Sequence, residues 1–141
     1  MRNKERDQDY FNTLSQKHFP EYLGVEILSV GQEILTGQMK IEKHLFAPNG
    51  FLHAGSIVSF ADTLAGYATL AHLSDNEKSF TTLELKSNFI SSAKKGFIIG
   101  QASAIHIGKS THVWKVDVKR KADKRLIASF SCTQLILKIS P

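Results

Sequence analysis

A chain of 141 residues has the size of one domain, spanning residues 1–141, and can bury roughly two-thirds of the surface its unfolded form exposes, enough for a single core. With 42% hydrophobic and 22% charged residues it falls outside the disordered and low-complexity classes. Its one cysteine, Cys132, excludes an internal disulfide and a zinc site of the Cys-pair type. The net charge of +5 is uneven, because ten of the 18 Lys and Arg residues lie between Lys86 and Arg125, against two acids, Asp117 and Asp123.

Arg2 to His18 is polar with scattered apolar positions and predicts a short surface helix within residues 1–20, ending before Pro20. No charged-then-apolar leader opens the chain, and its longest apolar stretch, Ala54 to Leu73, is interrupted by Ser59, Asp62, Thr63 and Thr69. These features predict neither secretion nor a membrane span, and a reducing cytoplasm is the expected setting. Val25 to Val30 and Ile34 to Ile41 read as two strands turned by Gly31-Gln32-Glu33, with Leu35, Met39 and Ile41 on one face of the second. Pro48-Asn49-Gly50 then breaks the pattern. From Gly55 to Leu73 apolar residues cover most of the helical circumference, which predicts a helix enclosed by other elements. Beyond a breaker at Asp75-Asn76 come four strands, Phe80 to Ile90, Phe97 to Ile107, Thr111 to Lys119 and Leu126 to Leu137. Short turns at Ser91 to Gly96 and Ala122-Asp123-Lys124 predict that these four are antiparallel neighbours. One enclosed helix against a curved antiparallel sheet of about six strands is an α+β arrangement. Such a sheet covers one side of the helix, so the remaining apolar positions predict a partner subunit.

Of the sequence signatures that carry chemistry, Gly-x-Ser-x-Gly, the P-loop, the dinucleotide glycine fingerprint and His-Glu-x-x-His are all missing. His18, His44, His53, His72, His106 and His112 lack metal-ligand spacing, so no metal is expected. Asp62 is the only charged residue from Phe51 to Leu73, and a carboxylate buried there costs on the order of several kcal/mol unless compensated. It is either a general base or nucleophile, or a structural acid bonded to Ser59, Thr63 or a backbone group. Asn49 to Ser56 leads into a helix start, where unpaired N–H groups and the helix dipole can polarise a carbonyl. Ala54 and Gly55 let an acyl group approach that backbone, and losing one such donor costs ~10²- to 10³-fold in rate. His53 reads first as a residue that caps or buttresses the turn, ahead of an acid–base role. Lys94-Lys95-Gly96, Gly108-Lys109 and Lys119 to Arg125 put the positive charge at turns. That pattern fits solvated turn charges or attraction of a small anion with several phosphates. Nucleic acid, which calls for a basic stripe interleaved with aromatics, comes third.

The segments Asn49-Gly50-Phe51-Leu52-His53-Ala54-Gly55 and Phe60-Ala61-Asp62-Thr63-Leu64-Ala65-Gly66-Tyr67-Ala68 resemble the hotdog thioesterases of the phenylacetate-degradation (PaaI-like) type. In that family an Asn, a His-Gly-Gly and, nine residues after the His, an Asp recur in this order. The likeness continues through Thr81 to Phe89, Ala93 to Gly96, Ile107-Gly108-Lys109 and Leu126-Ile127-Ala128, so it covers Leu23 to Leu137. It implies a hotdog fold, hydrolysis of an acyl or aryl-acyl coenzyme A thioester, no cofactor beyond the substrate's own coenzyme A, and a homodimer doubled into a homotetramer. Under this resemblance Asp62 activates water or attacks the thioester carbon, and Asn49 positions the water or the carbonyl. The Ala54 N–H polarises the carbonyl on the turn that His53 and Gly55 complete, and Thr82 helps to hold the water. Phe89, Ile90 and Lys94, with Gly108, Lys109 and Ser110, line the coenzyme A channel. Ala54 departs from the His-Gly-Gly pattern by adding a methyl group, and Ser92 stands where relatives often have Pro. Other readings of the fold are a non-catalytic acyl-CoA-binding module and a dehydratase of hydroxyacyl thioesters, whose His-then-acid spacing His53 and Asp62 do not match. Neither nucleic acid nor a membrane is an expected partner. From Ala54 to Asp62 is eight residues, about 12 Å along a helix. A two-fold dimer with antiparallel central helices would bring the Asp62 of one chain to the N-terminal turn of the other.

Overall fold

The computed structural model describes residues 2–74 and 79–138, so the breaker expected at Asp75-Asn76 lies outside the described residues. Two short helices open the chain where one was expected. The first, α1 (Gln8–Leu14), starts at Asp7, whose carboxylate accepts the Tyr10 N–H at 2.9 Å. The second, α2 (Phe19–Leu23), holds Pro20 in its first turn, where a missing N–H leaves no intrahelical bond unmade, and ends on Gly24 at φ +82°. Pro20 therefore begins a helix rather than ending one. Nor is the segment purely superficial, since Phe11 is fully buried and stacks on Tyr67 at 4.8 Å between ring centroids.

Six strands follow the expected segments closely: β1 (Val25–Val30), β2 (Ile34–Lys40), β3 (Ser79–Phe89), β4 (Phe97–Ile107), β5 (Thr111–Arg120) and β6 (Leu126–Leu137). They form one antiparallel sheet in the order β1-β2-β4-β5-β6-β3. The central helix α3 (Ala54–Leu70) lies against all six strands, which is the hotdog arrangement. Phe60, Ala61, Leu64 and Ala65 are completely buried on it, facing Met39, Ile98, Ala102, Trp114 and Val116 of the sheet. Burying a side chain such as Leu64 contributes ~1.5–3 kcal/mol. Gly37 and Gly100 are cross-strand partners on β2 and β4, and a Cβ at either would sit 2.6 or 2.5 Å from a Leu64 methyl. Glycine at these two positions is what lets α3 approach the sheet so closely.

The expectation that the last four strands follow one another as neighbours is corrected at β3, which pairs with β6 and not with β4. The N–H groups of Ile90 and Ser91 donate to Ile127 O, and Ser91 Oγ to Leu126 O, which holds the end of β3 beside β6. The chain then crosses to β4, with Ala93 buried and its carbonyl accepting the Leu52 N–H at 3.1 Å. Turn residues mark where a chain bends, not which strand it pairs with afterwards. β3 is consequently an edge strand, and Leu85, Phe89 and the adjoining Ile90 are 42%, 46% and 60% exposed. Among the described residues no helix is long and apolar enough to cross a membrane.

Candidate active site

The loop before α3 folds on itself. Asn49 Oδ1 accepts the Phe51 N–H at 3.1 Å, and Gly50 takes the positive φ of +87° that this turn requires. The Asn49 amide is thereby oriented, with its Nδ2 left as a donor. His53 is the N-cap of α3, and its Nδ1 accepts the Gly55 N–H at 2.7 Å while its carbonyl accepts those of Ser56 and Ile57. The capping role anticipated for His53 is the one it fills. Because Gly55 spends its N–H on that cap, the N–H of Ala54 is the first-turn donor left without an acceptor among the described residues. Asn49, Phe51, His53, Ala54, Ile57 and Phe89 line a cavity of about 370 Å³ at this end of the helix.

Asp62 lies two turns farther along α3 and is half-buried. Of the structural partners considered for it, the Thr63 hydroxyl donates to the Ser59 carbonyl, and among the described residues neither Ser59 nor Thr63 bonds the Asp62 carboxylate. Thr82 Oγ1 donates instead to Asp62 Oδ1 at 3.3 Å. A register shift between Thr82 and Glu84 marks a bulge in β3 at this point, a device that re-aims side chains beside functional sites. Burial pushes the Asp62 carboxyl above the ordinary aspartate range, and the Thr82 hydroxyl pulls it part of the way back. The neighbouring Cys132 thiol is pushed up to about 12, first by burial and then by the charges of Asp62 and Glu84, so it stays a neutral core group.

One chain therefore holds these groups in two separate places. Asn49 and Ala54 share the cavity at the helix start, whereas Asp62 and Thr82 pair elsewhere and do not line it. The basic residues divide in the same way. Lys94 Nζ sits 4.4 Å from the Phe51 ring centroid. With Lys95 and Arg120 it lines an adjoining cavity of about 450 Å³. Ile90 continues the exposed edge from Phe89. Gly108, Lys109 and Ser110 form the turn at the far end of β4, roughly 33 Å from Phe97 at ~3.3 Å per residue. Among the described residues no cluster of three or more His, Cys, Asp or Glu side chains is placed to hold a metal.

Sequence reading missed a buried polar cluster two turns beyond Asp62 on α3. Thr69 and Gln134 are completely buried and hydrogen-bonded to each other, and the Thr69 hydroxyl also meets Trp114 Nε1 at 2.8 Å and His112 Nδ1 at 3.0 Å. Its signal in the sequence is Thr69 itself, a polar residue seven positions after Asp62 on the same helix face.

The Thioesterase superfamily profile matches residues 49–127, which hold every one of these groups except Cys132 and Gln134. The 1,4-dihydroxy-2-naphthoyl-CoA hydrolase of Listeria monocytogenes is 33% identical over 118 residues, 84% of this chain and 94% of that protein. The Escherichia coli hydrolase of the same name is 26% identical over 129 residues, 89% of this chain and 91% of that protein. In fold, a mutant of the thioesterase PA1618 from Pseudomonas aeruginosa superposes with a TM-score of 0.92 at 24% identity, over 98% of this chain and 99% of that one. Matched by the family profile over more than half its length, and 33% identical to a CoA-thioester hydrolase over 84% of its length, the chain belongs to the thioesterase superfamily and is a hydrolase.

Proposed function

We propose that the protein hydrolyses an acyl or aryl-acyl coenzyme A thioester to the free acid and CoA, at a site completed by two subunits. The observation that carries this reading is Asp62, a half-buried carboxylate alone on an apolar helix, with one oxygen occupied by Thr82 and its proton affinity raised. A carboxylate so tuned is a stronger general base than one in water. In the proposed step Asp62 takes a proton from a water molecule as that oxygen adds to the thioester carbon. The developing oxyanion accepts the Ala54 N–H at the positive end of α3. Collapse of the tetrahedral species breaks the carbon–sulfur bond, and the departing thiolate recovers the proton from Asp62. Asn49 Nδ2 supplies a further donor to the carbonyl or the water. The cycle calls on no metal or redox group.

The separation of about 12 Å between Ala54 and Asp62 on one helix supports the second subunit, and so does the exposed apolar edge of β3. A two-fold axis beside that edge, with the two α3 helices antiparallel, would bring each Asp62 and Thr82 to the partner chain's helix start. The same operation would carry the Lys109 turn of one chain toward the Lys94 turn of the other, giving the CoA phosphates cations from both. Pairing of such dimers into a tetramer, and a cytoplasmic setting, complete the proposal as the PaaI-like resemblance suggests. Phe51, Ile57 and Phe89 in the cavity, and relatives named for a naphthoyl-CoA, support an aromatic or apolar acyl group.

A panel of acyl-CoAs with a thiol-detecting reagent tests the reading and identifies the acyl group. Asp62→Asn should lose ~10²- to 10⁴-fold in kcat while acyl-CoA binding, measured by calorimetry, stays close to wild type. Near-normal turnover by that variant would remove Asp62 from the mechanism. Binding by the wild type without thiol release from any member of the panel would establish an acyl-CoA-binding module instead.

A further inference from the structure

The polar cluster two turns beyond Asp62 on α3 has a direction fixed by its donors. Trp114 Nε1–H can only donate and the Gln134 carbonyl oxygen can only accept, so the single Thr69 proton goes to Gln134 Oε1 and His112 presents Nδ1–H to Thr69. Gln134 is thereby held by its oxygen, and its Nε2 is turned away from Thr69. That Nε2 is buried and has no acceptor among the described residues. A buried amide donor left unmet in a completely buried side chain calls for an explanation.

Sheet register supplies one. Gln134 on β6 is the direct cross-strand partner of Thr82 on β3, and both side chains reach toward α3, one to Thr69 and the other to Asp62. Residues so opposed hold their Cβ atoms about 5 Å apart. Thr82 gives its only proton to Asp62, and its oxygen lone pairs meet no donor among the described residues. We infer that Gln134 is a positioning residue for Asp62, whose amide N–H donates to Thr82 Oγ1 after a small tilt about the Thr69 bond. With a donor on its lone pairs, the Thr82 hydroxyl cannot rotate to give its proton elsewhere, and the Asp62 carboxylate is held in one orientation. Thr69, Trp114 and His112 form the anchor at the far end of this chain of bonds.

The inference rests on Asp62 being the general base, and its test separates the two. The carboxyl titration of Asp62 in the full-length protein, followed by ¹³C NMR with aspartate labelling and assigned with Asp62→Asn, needs no substrate. Comparison with Asp62→Asn separates that signal from those of its titratable neighbours. Cys132 on β6 stays protonated up to about 12, Glu84 lies beyond the bulge and is bonded by Thr133, and His112 on β5 meets Thr69. Gln134→Met, close in shape but without the donor, should move the Asp62 titration to higher pH and lower kcat about tenfold with KM unchanged, the worth of one well-placed hydrogen bond. In a Thr82→Val chain the same substitution should add nothing to either readout. If Gln134→Met fails to fold, Gln134→Leu is likewise uncharged and lacks the donor, and it should show the same upward shift and kcat loss. A wild-type Asp62 titration in either Gln134 variant overturns the inference, and so does an equal effect of Gln134→Met with and without the Thr82 hydroxyl. Hydrolysis of no acyl-CoA by the wild type would sink the proposed function while leaving the titration to decide the role of Gln134.

Discussion

Co-expression of two inactive chains offers the sharpest test of a site shared between subunits. Along α3 the eight residues from Ala54 to Asp62 span about 12 Å. A base reaching a carbonyl through one water covers two hydrogen-bonded steps of ~3 Å each, so a chain acting alone falls short by about 6 Å. An Asn49→Ala chain lacks the loop amide but keeps Asp62, and an Asp62→Asn chain has the converse defect. Asn49 is exposed and its side chain makes one local hydrogen bond, to the Phe51 N–H, so the first variant should fold. In a mixed dimer one site inherits both substitutions and the other inherits neither. Mixed dimers purified through two different tags should therefore show about half of wild-type thiol release. The unfractionated co-expressed protein, in which half of the dimers are mixed, should show about a quarter. Each homodimer should be nearly inactive. No recovery in verified mixed dimers would place the whole site within one chain, and the Ala54 N–H could then not be the oxyanion donor for the same chain's Asp62.

Two further outcomes follow from the electrostatics. Burial raises the Asp62 carboxyl in the folded protein, so its contribution to stability is present in acid and is lost as pH rises through the folded value. Asp62→Asn should accordingly raise the Tm at neutral pH, with the gap closing below the ordinary carboxylate range, and a Tm difference independent of pH would refute the burial argument. If Lys94, Lys95 and Lys109 meet CoA phosphates, KM for acyl-CoA should rise with salt while KM for an acyl-pantetheine stays flat. Parallel salt curves for the two substrates would leave these lysines as solvated turn charges.

Much of this architecture is written in local pattern. The end points of β4 and β6 coincide with the strand segments expected from the sequence, and α3 begins and ends within a few residues of its apolar run. Asp62 stands out for a similar reason, because one charge in an apolar helix is visible without knowing what surrounds it. The capping role of His53 was legible too, since a turn feeding a helix start asks for an acceptor. The opening helix was misread at Pro20, which the same local rules allow either to end one helix or to begin another.

Composition and periodicity thus determined which segments form strands and helices and where a carboxylate would be out of place. Those properties depend on residues a few positions apart. Only the tertiary structure decided that β3 lies beside β6 and not β4, that Asp62 is held by Thr82 twenty residues away, and that Thr69 meets Gln134 across 65 positions. Partners so distant are chosen by how whole surfaces pack and by which buried donors find acceptors there, and a linear pattern carries no record of that choice.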